Sequence, residues 1–170
     1  IQSGNDLILK RMKRRHNRKQ VINFCEKVRL LRKDAVFGAD IIAGFPTETE
    51  EMFKDSLNLI KECKLTHLHI FPYSIRKDTP AAKMPQVPRN IIKKRAELLR
   101  NEGKKQMHKY LHEQKGQLVT ALIEYSKNNI SFGKSQHFVK IKINKKIEAG
   151  KIIKCMVIDF KDDVLIAKII

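Results

Sequence analysis

The chain is poor in acidic residues and in cysteine, and it has no long apolar run; each shortage narrows what it can be. Only 18 acidic side chains face 36 basic ones, leaving a formal charge of +18 at pH 7. That imbalance points away from basic partners and towards a polyanion. No stretch approaches the ~20 apolar residues that span a bilayer, and no signal-peptide pattern opens the chain. No membrane partner is therefore expected, and the cytoplasm is the default compartment. Three cysteines, Cys25, Cys63 and Cys155, stand 38 and 92 positions apart. This is not a metal-ligand spacing, and an odd number without close pairs argues against a disulfide framework. Cys25 shares a helical stripe with Val21, Phe24, Val28 and Leu31, while Cys63 extends the stripe of Met52, Ser56, Leu59 and Ile60; both read as small core residues. No internal repeat is visible.

An apolar fraction of 42% in 170 residues allows one or two small domains with real cores. The charge is unevenly spread. Residues 1–34 carry 11 basic and 3 acidic side chains, and residues 35–87 carry 6 and 7. Residues 88–115 then carry 9 and 3, and residues 116–170 carry 10 and 5. A near-neutral block flanked by basic ones is the footprint of a centre set within a phosphate-attracting surface. The excess is mostly lysine, 26 Lys against 10 Arg, which equally suits solvated faces or a compositional bias.

Periodicity predicts a short helix through Leu7, Ile8 and Met12, capped by Ser3 or Asn5, and a second over about 18–33. The apolar run 35–45, broken only by Asp40, predicts a strand buried on both faces, as in a parallel sheet. Thr47-Glu-Thr-Glu50 has the form of a capping box, with Glu48, Glu50 and Glu51 at the positive end of the helix dipole. That helix should reach Cys63, and Leu65–Tyr73 should return as a second strand, making one βαβ unit. Residues 79–88, with three prolines, read as an extended connector. A long basic helix follows with Ile92, Ala96, Leu99, Gly103, Met107 and Tyr110 or Leu111 on one face, broken by Gly116. Short β runs at 118–124, 138–143, 152–158 and 164–170, with turns at Asn128-Asn129, Gly133, Gly150 and Asp162-Asp163, suggest a five-stranded barrel of the OB type. Val119, Leu122, Val157 and Leu165 are its expected core. Two parallel strands alone are marginal, so residues 1–87 are expected to be a slice of a larger αβ barrel.

Two motifs stand about thirty residues apart, each after a strand-like run: Gly38-Ala-Asp-Ile-Ile-Ala-Gly-Phe-Pro-Thr-Glu-Thr49 and Phe71-Pro-Tyr-Ser-Ile-Arg76 with Thr79-Pro-Ala-Ala82. Together they resemble the late core of radical-SAM methylthiotransferases that modify tRNA. Gln2-Ser-Gly4 with Leu9-Lys-Arg-Met12 resembles the family segment after the fourth barrel strand. The resemblance covers nearly the whole chain. It implies an α/β fold: the C-terminal part of a radical-SAM partial (βα) barrel, residues 1–87, then a connecting basic helix, 88–114, then a small all-β OB-like TRAM barrel, 115–170. It also implies that Gln2, Ser3, Asp40, Ile42, Gly44, Phe45, Tyr73 and Arg76 serve S-adenosylmethionine binding. Gly44 permits close backbone approach, Ile42 and Phe45 offer apolar surface, and Arg76 can pair with a carboxylate or phosphate. Lys77-Asp78 stands where the family usually has Pro-Gly.

In the TRAM-like part, Lys134, Lys140, Lys142, Lys145 and Lys146 are candidates for RNA phosphates, and Phe132 and Phe138 for base stacking or barrel filling. His67 and His69 fall on the same side of a strand, but no third ligand has a convincing spacing, so neither a metal site nor a catalytic residue is assigned. The family's CxxxCxxC, which holds its [4Fe–4S] cluster, is absent. The chain, which begins at Ile1, is therefore expected to be a C-terminal part of such an enzyme. The run Leu68–Ser74 most resembles the branch acting on threonylcarbamoyl-adenosine beside the anticodon. Two rival readings are a catalytically inactive RNA-binding remnant and a chain that pairs with a separately encoded N-terminal half.

Overall fold

The computed structural model describes residues 1–170 and divides them into two compact units, Ile1–Gln106 and Met107–Ile170. Taken together they are mixed α/β, with a closed five-stranded barrel in the second.

In the first unit, Asn5 caps α1 (Asp6–Arg11), its side chain accepting from the amides of Leu7 and Ile8. Asn17 and Gln20 form a reciprocal capping box at the start of α2 (Arg18–Leu31). β1 (Phe37–Ala43), α3 (Glu50–Glu62) and β2 (Leu65–Pro72) make the expected parallel βαβ unit, with Ile41 beside Ile70 and Ile42 beside Phe71. A single 3-10 turn, Pro80–Lys83, interrupts what was expected to be an extended connector. The core takes Ala39, Ile41 and Ala43 from β1, Phe53, Leu59, Ile60 and Cys63 from α3 and its cap, and Ala96 and Leu99 from α4 (Arg89–Glu113). At Gly103 a Cβ would stand 2.9 Å from Leu68 Cδ1, so α4 and β2 approach closely there.

Three sequence expectations are corrected. β1 is buried on one face only: Gly38 and Asp40 are exposed and Ile42 is half-buried, because helices cover one side of this two-stranded sheet and nothing covers the other. The α3 cap is Thr49, whose hydroxyl accepts from the Met52 amide, while Thr47 has a left-handed φ of 69° and its hydroxyl accepts from Arg11 Nη1 at 2.6 Å. On α2, Cys25 is buried but Phe24 and Leu31 are exposed, Leu31 to 91%, because only the Cys25 face meets the rest of the unit.

The second unit begins in the last turns of α4. β3 (Leu118–Lys127), β4 (Ile130–Ser135), β5 (Lys140–Ile143), β6 (Ile152–Lys161) and β7 (Val164–Ile169) close in the order β3-β4-β5-β7-β6. Every pairing is antiparallel except β5–β7, which is parallel. Inward residues alternate along the strands (Val119, Ala121 and Ile123; Cys155 and Val157; Leu165 and Ala167), with Leu111 of α4 against them. Leu122 points out, contrary to expectation, since it alternates with Ala121 and Ile123. Gly133 is not a turn residue but lies in mid-strand, where a Cβ would come within 1.9 Å of the Leu122 carbonyl oxygen. The turns at Asn128-Asn129 (φ 50° and 59°) and Asp162-Asp163 (φ 50° and 59°) have the two left-handed residues of tight hairpins.

Candidate functional site

The uncovered face of the β1–β2 sheet carries a pocket of about 440 Å³ at the carboxyl ends of the strands, the end where open parallel sheets place ligands. Alternation supplies its floor: Asp40 and Ile42 from β1 and Phe71 from β2. The segment after β2 supplies its wall. The Tyr73 amide donates to the Ala43 carbonyl at 2.9 Å, continuing the ladder past Pro72, and the Tyr73 ring meets Phe45 edge to face at 5.4 Å. Arg76, Thr79 and Ala81 complete that side, and Gln2 joins because its carbonyl accepts from the Ile42 amide at 3.0 Å. The Tyr73 hydroxyl is buried without a hydrogen-bond partner, a vacancy that a polar ligand atom can fill.

Six of the eight residues expected at a cofactor site, Gln2, Asp40, Ile42, Phe45, Tyr73 and Arg76, therefore line one pocket. Ser3 and Gly44 do not. Ser3 is fully buried against α3, sharing a hydrogen bond with Ser56 at 3.4 Å. Gly44 has φ +72° and a Cβ there would lie 2.5 Å from Ile92 Cγ1, so the close approach it permits is to a side chain of α4.

Sequence reasoning missed the support behind the pocket. Glu48, expected to serve the helix dipole, turns back instead: its Oε2 accepts from the Gly44 amide at 3.0 Å and from Arg95 Nη1 at 2.9 Å. Arg95 Nη1 also donates to the Glu48 carbonyl at 2.8 Å, and Nη2 reaches Glu50 at 3.4 Å. Glu48 and Arg95 are only 5% and 6% exposed. Burial pushes the Glu48 carboxyl above its ordinary value, with the Arg95 charge and the Gly44 amide pulling against it. The pair fixes the loop that begins at Gly44 and presents Phe45. Glu50 and Glu51 keep the expected place in the first turn of α3, and hydrogen bonds from its own amide and from Thr49 hold Glu51 low. Their 47-residue separation left Glu48 and Arg95 no sequence signal.

On the barrel, strand register sets candidate RNA-contacting residues side by side on the outer surface: Phe132 beside Lys142, and Lys134 beside Lys140. Lys145 and Lys146 follow β5 and are exposed. Neither phenylalanine fills the barrel. Phe132 stacks on Tyr125 with ring centres 5.1 Å apart and planes at 19°, and Phe138 is 77% exposed. Tyr125 and Leu122 belong to this face and were not foreseen. Lys134 is engaged by Glu124 at 3.4 Å. Of the basic residues near the start, Arg18 is structural, donating to the Gly4 and Asp55 carbonyls and to Glu62. His67 is half-buried and His69 exposed on β2.

No family model matches the chain. It is 51% identical over 162 residues to the threonylcarbamoyladenosine tRNA methylthiotransferase of Rickettsia prowazekii, covering 95% of this chain and 38% of that protein. It is 32% identical over 161 residues to the Aquifex aeolicus protein of the same name, covering 92% of this chain and 38% of that one. To the tRNA-2-methylthio-N(6)-dimethylallyladenosine synthase of Bacillus velezensis it is 37% identical over 131 residues, 76% of this chain and 26% of that protein. The chain thus spans well under half the length of each of these relatives.

Proposed function

The chain belongs to the tRNA methylthiotransferase family, and on that premise we propose that it supplies the S-adenosylmethionine pocket wall and the tRNA-binding barrel of an enzyme that methylthiolates threonylcarbamoyl-adenosine. The observation that carries this reading is the convergence of both motifs on one pocket at the strand ends. The 51% identity to a threonylcarbamoyladenosine enzyme favours that branch. In this reading residues 1–87 correspond to the late radical-SAM barrel, residues 88–114 to the connecting helix and residues 115–170 to the TRAM domain, and the protein works in the cytoplasm.

The pocket fits S-adenosylmethionine. Its volume is in the range of small-molecule sites, and it offers an apolar floor and aromatic wall with a carboxylate, a guanidinium and an unpartnered phenol. Ile42, Phe45 and Tyr73 would cover the adenosine, with Asp40 and Arg76 taking its polar ends. When bound, that cofactor supplies the methyl group and, in the family, the radical. The chain's own cysteines do not fit an iron–sulfur cluster: Cys25 and Cys63 lie in one unit's core, Cys155 lies in the barrel's, and no three ligating groups come together. The chain alone is therefore expected to cleave no S-adenosylmethionine, and the cluster ligands would come from outside it, from the same polypeptide or a separately encoded half.

The test is calorimetric titration of the 170-residue chain with S-adenosylmethionine, beside Arg76→Ala. Removing a charged hydrogen-bonding group should weaken binding by roughly tenfold or more. An Arg76→Ala chain that binds as tightly as the parent refutes the pocket assignment. Separately, tRNA affinity should fall steeply with salt as counterions are released. It should fall again, by ~1–3 kcal/mol per lost stacking partner, in Phe132→Ala and Phe138→Ala. Salt-independent binding would remove the barrel from the reading.

A further inference from the structure

The end of α1 and the turn after it hold five cations in six residues, Lys10, Arg11, Lys13, Arg14 and Arg15, and neither site described above uses them. The first two have structural duties. Lys10 and Arg11 lie in the last turn of α1, where positive charge suits the negative end of a helix. Arg11 Nη1 also donates to the Thr47 hydroxyl at 2.6 Å. Thr47 follows two residues after Phe45 of the pocket wall, so this bond ties the turn to the loop at the strand ends where the pocket opens. Lys13, Arg14 and Arg15 have no such duty: all three are exposed, and none pairs with a carboxylate.

The backbone holds these three side chains in place. The Arg14 amide donates to the Leu9 carbonyl and the Lys13 amide to the Lys10 carbonyl, both at 2.9 Å, the two bonds of a Schellman motif. Lys13 occupies its left-handed position at φ 56°, where glycine is the usual residue. The chain thus accepts backbone strain for a lysine that nothing in the fold engages. Arg18 closes the turn on its far side, its amide on Asp6 at 2.7 Å and its guanidinium on the Gly4 and Asp55 carbonyls at 3.1 Å and 2.6 Å.

We propose that Lys13, Arg14 and Arg15 bind the RNA backbone phosphates that flank the nucleotide entering the pocket. This rests on the tRNA reading above, though not on the barrel's share in it. Three like charges on one short turn repel one another until anions come between them. Guanidinium forks match pairs of phosphate oxygens, and the lysine bias of the chain does not account for an Arg14-Arg15 pair. A turn anchored at both ends loses little freedom on binding. A base that undergoes chemistry must leave its stack, and a grip on the adjoining phosphates beside the pocket holds it there.

The experiment titrates an unmodified tRNA transcript over a salt series against the 170-residue chain and against one carrying Lys13→Gly, Arg14→Gln and Arg15→Gln together. The slope of log affinity against log salt should fall by about 2–3 in the variant, roughly one for each lost phosphate contact. Lys13→Gly alone should lower it by about 1 without loss of thermal stability, because glycine suits the left-handed position; that variant separates lost contacts from lost folding. Phosphate-ethylation interference should lose its signals around the target adenosine in the triple variant and keep the others. A triple variant with the parent's slope or the parent's interference map overturns this inference, while salt-dependent binding by the parent leaves the tRNA reading standing. A parent chain with no salt-dependent tRNA binding overturns both.

Discussion

The two units solve the same problem, satisfying strand edges and burying apolar faces, to different degrees. The barrel of Met107–Ile170 closes on itself, so each of its five strands has a neighbour on both sides. The sheet of Ile1–Gln106 has two strands, one helix-covered face and one face that ends in a pocket. Closure leaves the barrel only its outer surface for recognition. Incompleteness leaves the first unit an accessible floor of Asp40, Ile42 and Phe71, at the cost of unpaired backbone along the sheet.

The contrast should be largest in hydrogen exchange. Amides of Ile41–Ala43 and Leu68–Phe71 are expected to exchange roughly 100-fold or more faster than those of β3 and β6, because a two-stranded sheet opens more readily than a closed ring. Uniform protection across both units would erase the distinction. Next in size is Glu48→Ala, which strands the Arg95 guanidinium in the core. It should cost about 3–5 kcal/mol, read as lost protection in the first unit with β3 to β7 unchanged. Arg95→Met should cost less, because Glu48 can take up a proton where Arg95 cannot release one. Gly133→Ala is the mirror experiment. The added methyl meets backbone at Leu122, and a loss of about 1–3 kcal/mol should be confined to the barrel in denaturant unfolding followed segment by segment.

The smallest effect separates the units by sign. Glu48 sits above its ordinary 4.5, chiefly through burial, so at pH values between 4.5 and its folded value the folded unit binds more proton than the unfolded chain. Between 4.5 and its folded value, its contribution to stability falls as pH rises. Asp159 in the barrel is held below its ordinary 3.8, first by the hydrogen bond from Lys115. Its contribution is present above 3.8 and is lost as pH falls through the lowered value. Segment-resolved exchange between pH 3 and 6 checks both slopes, and equal slopes in the two units would contradict the assignment.

Local patterns were readable in the sequence where neighbours in space are neighbours along the chain. The Ile92, Ala96, Leu99 and Gly103 stripe of α4, the parallel βαβ unit and the Asn128-Asn129 turn all follow from short-range chemistry. Motif residues expected near one ligand, such as Ile42 and Tyr73, do meet in one pocket. What stayed hidden depends on distant partners. Glu48 looks like one more helix-dipole acid until Arg95 arrives from α4. Strand β4 was missed because Ser131, Gly133 and Ser135 dilute its pattern, and Gly133 mimics a turn when its real constraint is a carbonyl on the neighbouring strand. Phe24 and Leu31 sit on a helical stripe, yet Leu31 is 91% exposed and Phe24, which meets the Phe37 ring edge to face, is still 61% exposed.

The order β3-β4-β5-β7-β6 also dictates when the barrel can exist during synthesis. Strand β7 lies between β5 and β6 and closes the ring, yet it is the latest of the five to emerge from the ribosome. Its predecessors leave the exit tunnel as an open ribbon with Ile141 and Val157 uncovered. Every residue of the first unit is already translated by then, at ~5–20 residues per second. A ribosome that stalled before Val164 would hold a nascent chain with no barrel, so the interval before β7 appears is when this protein is most in need of a chaperone.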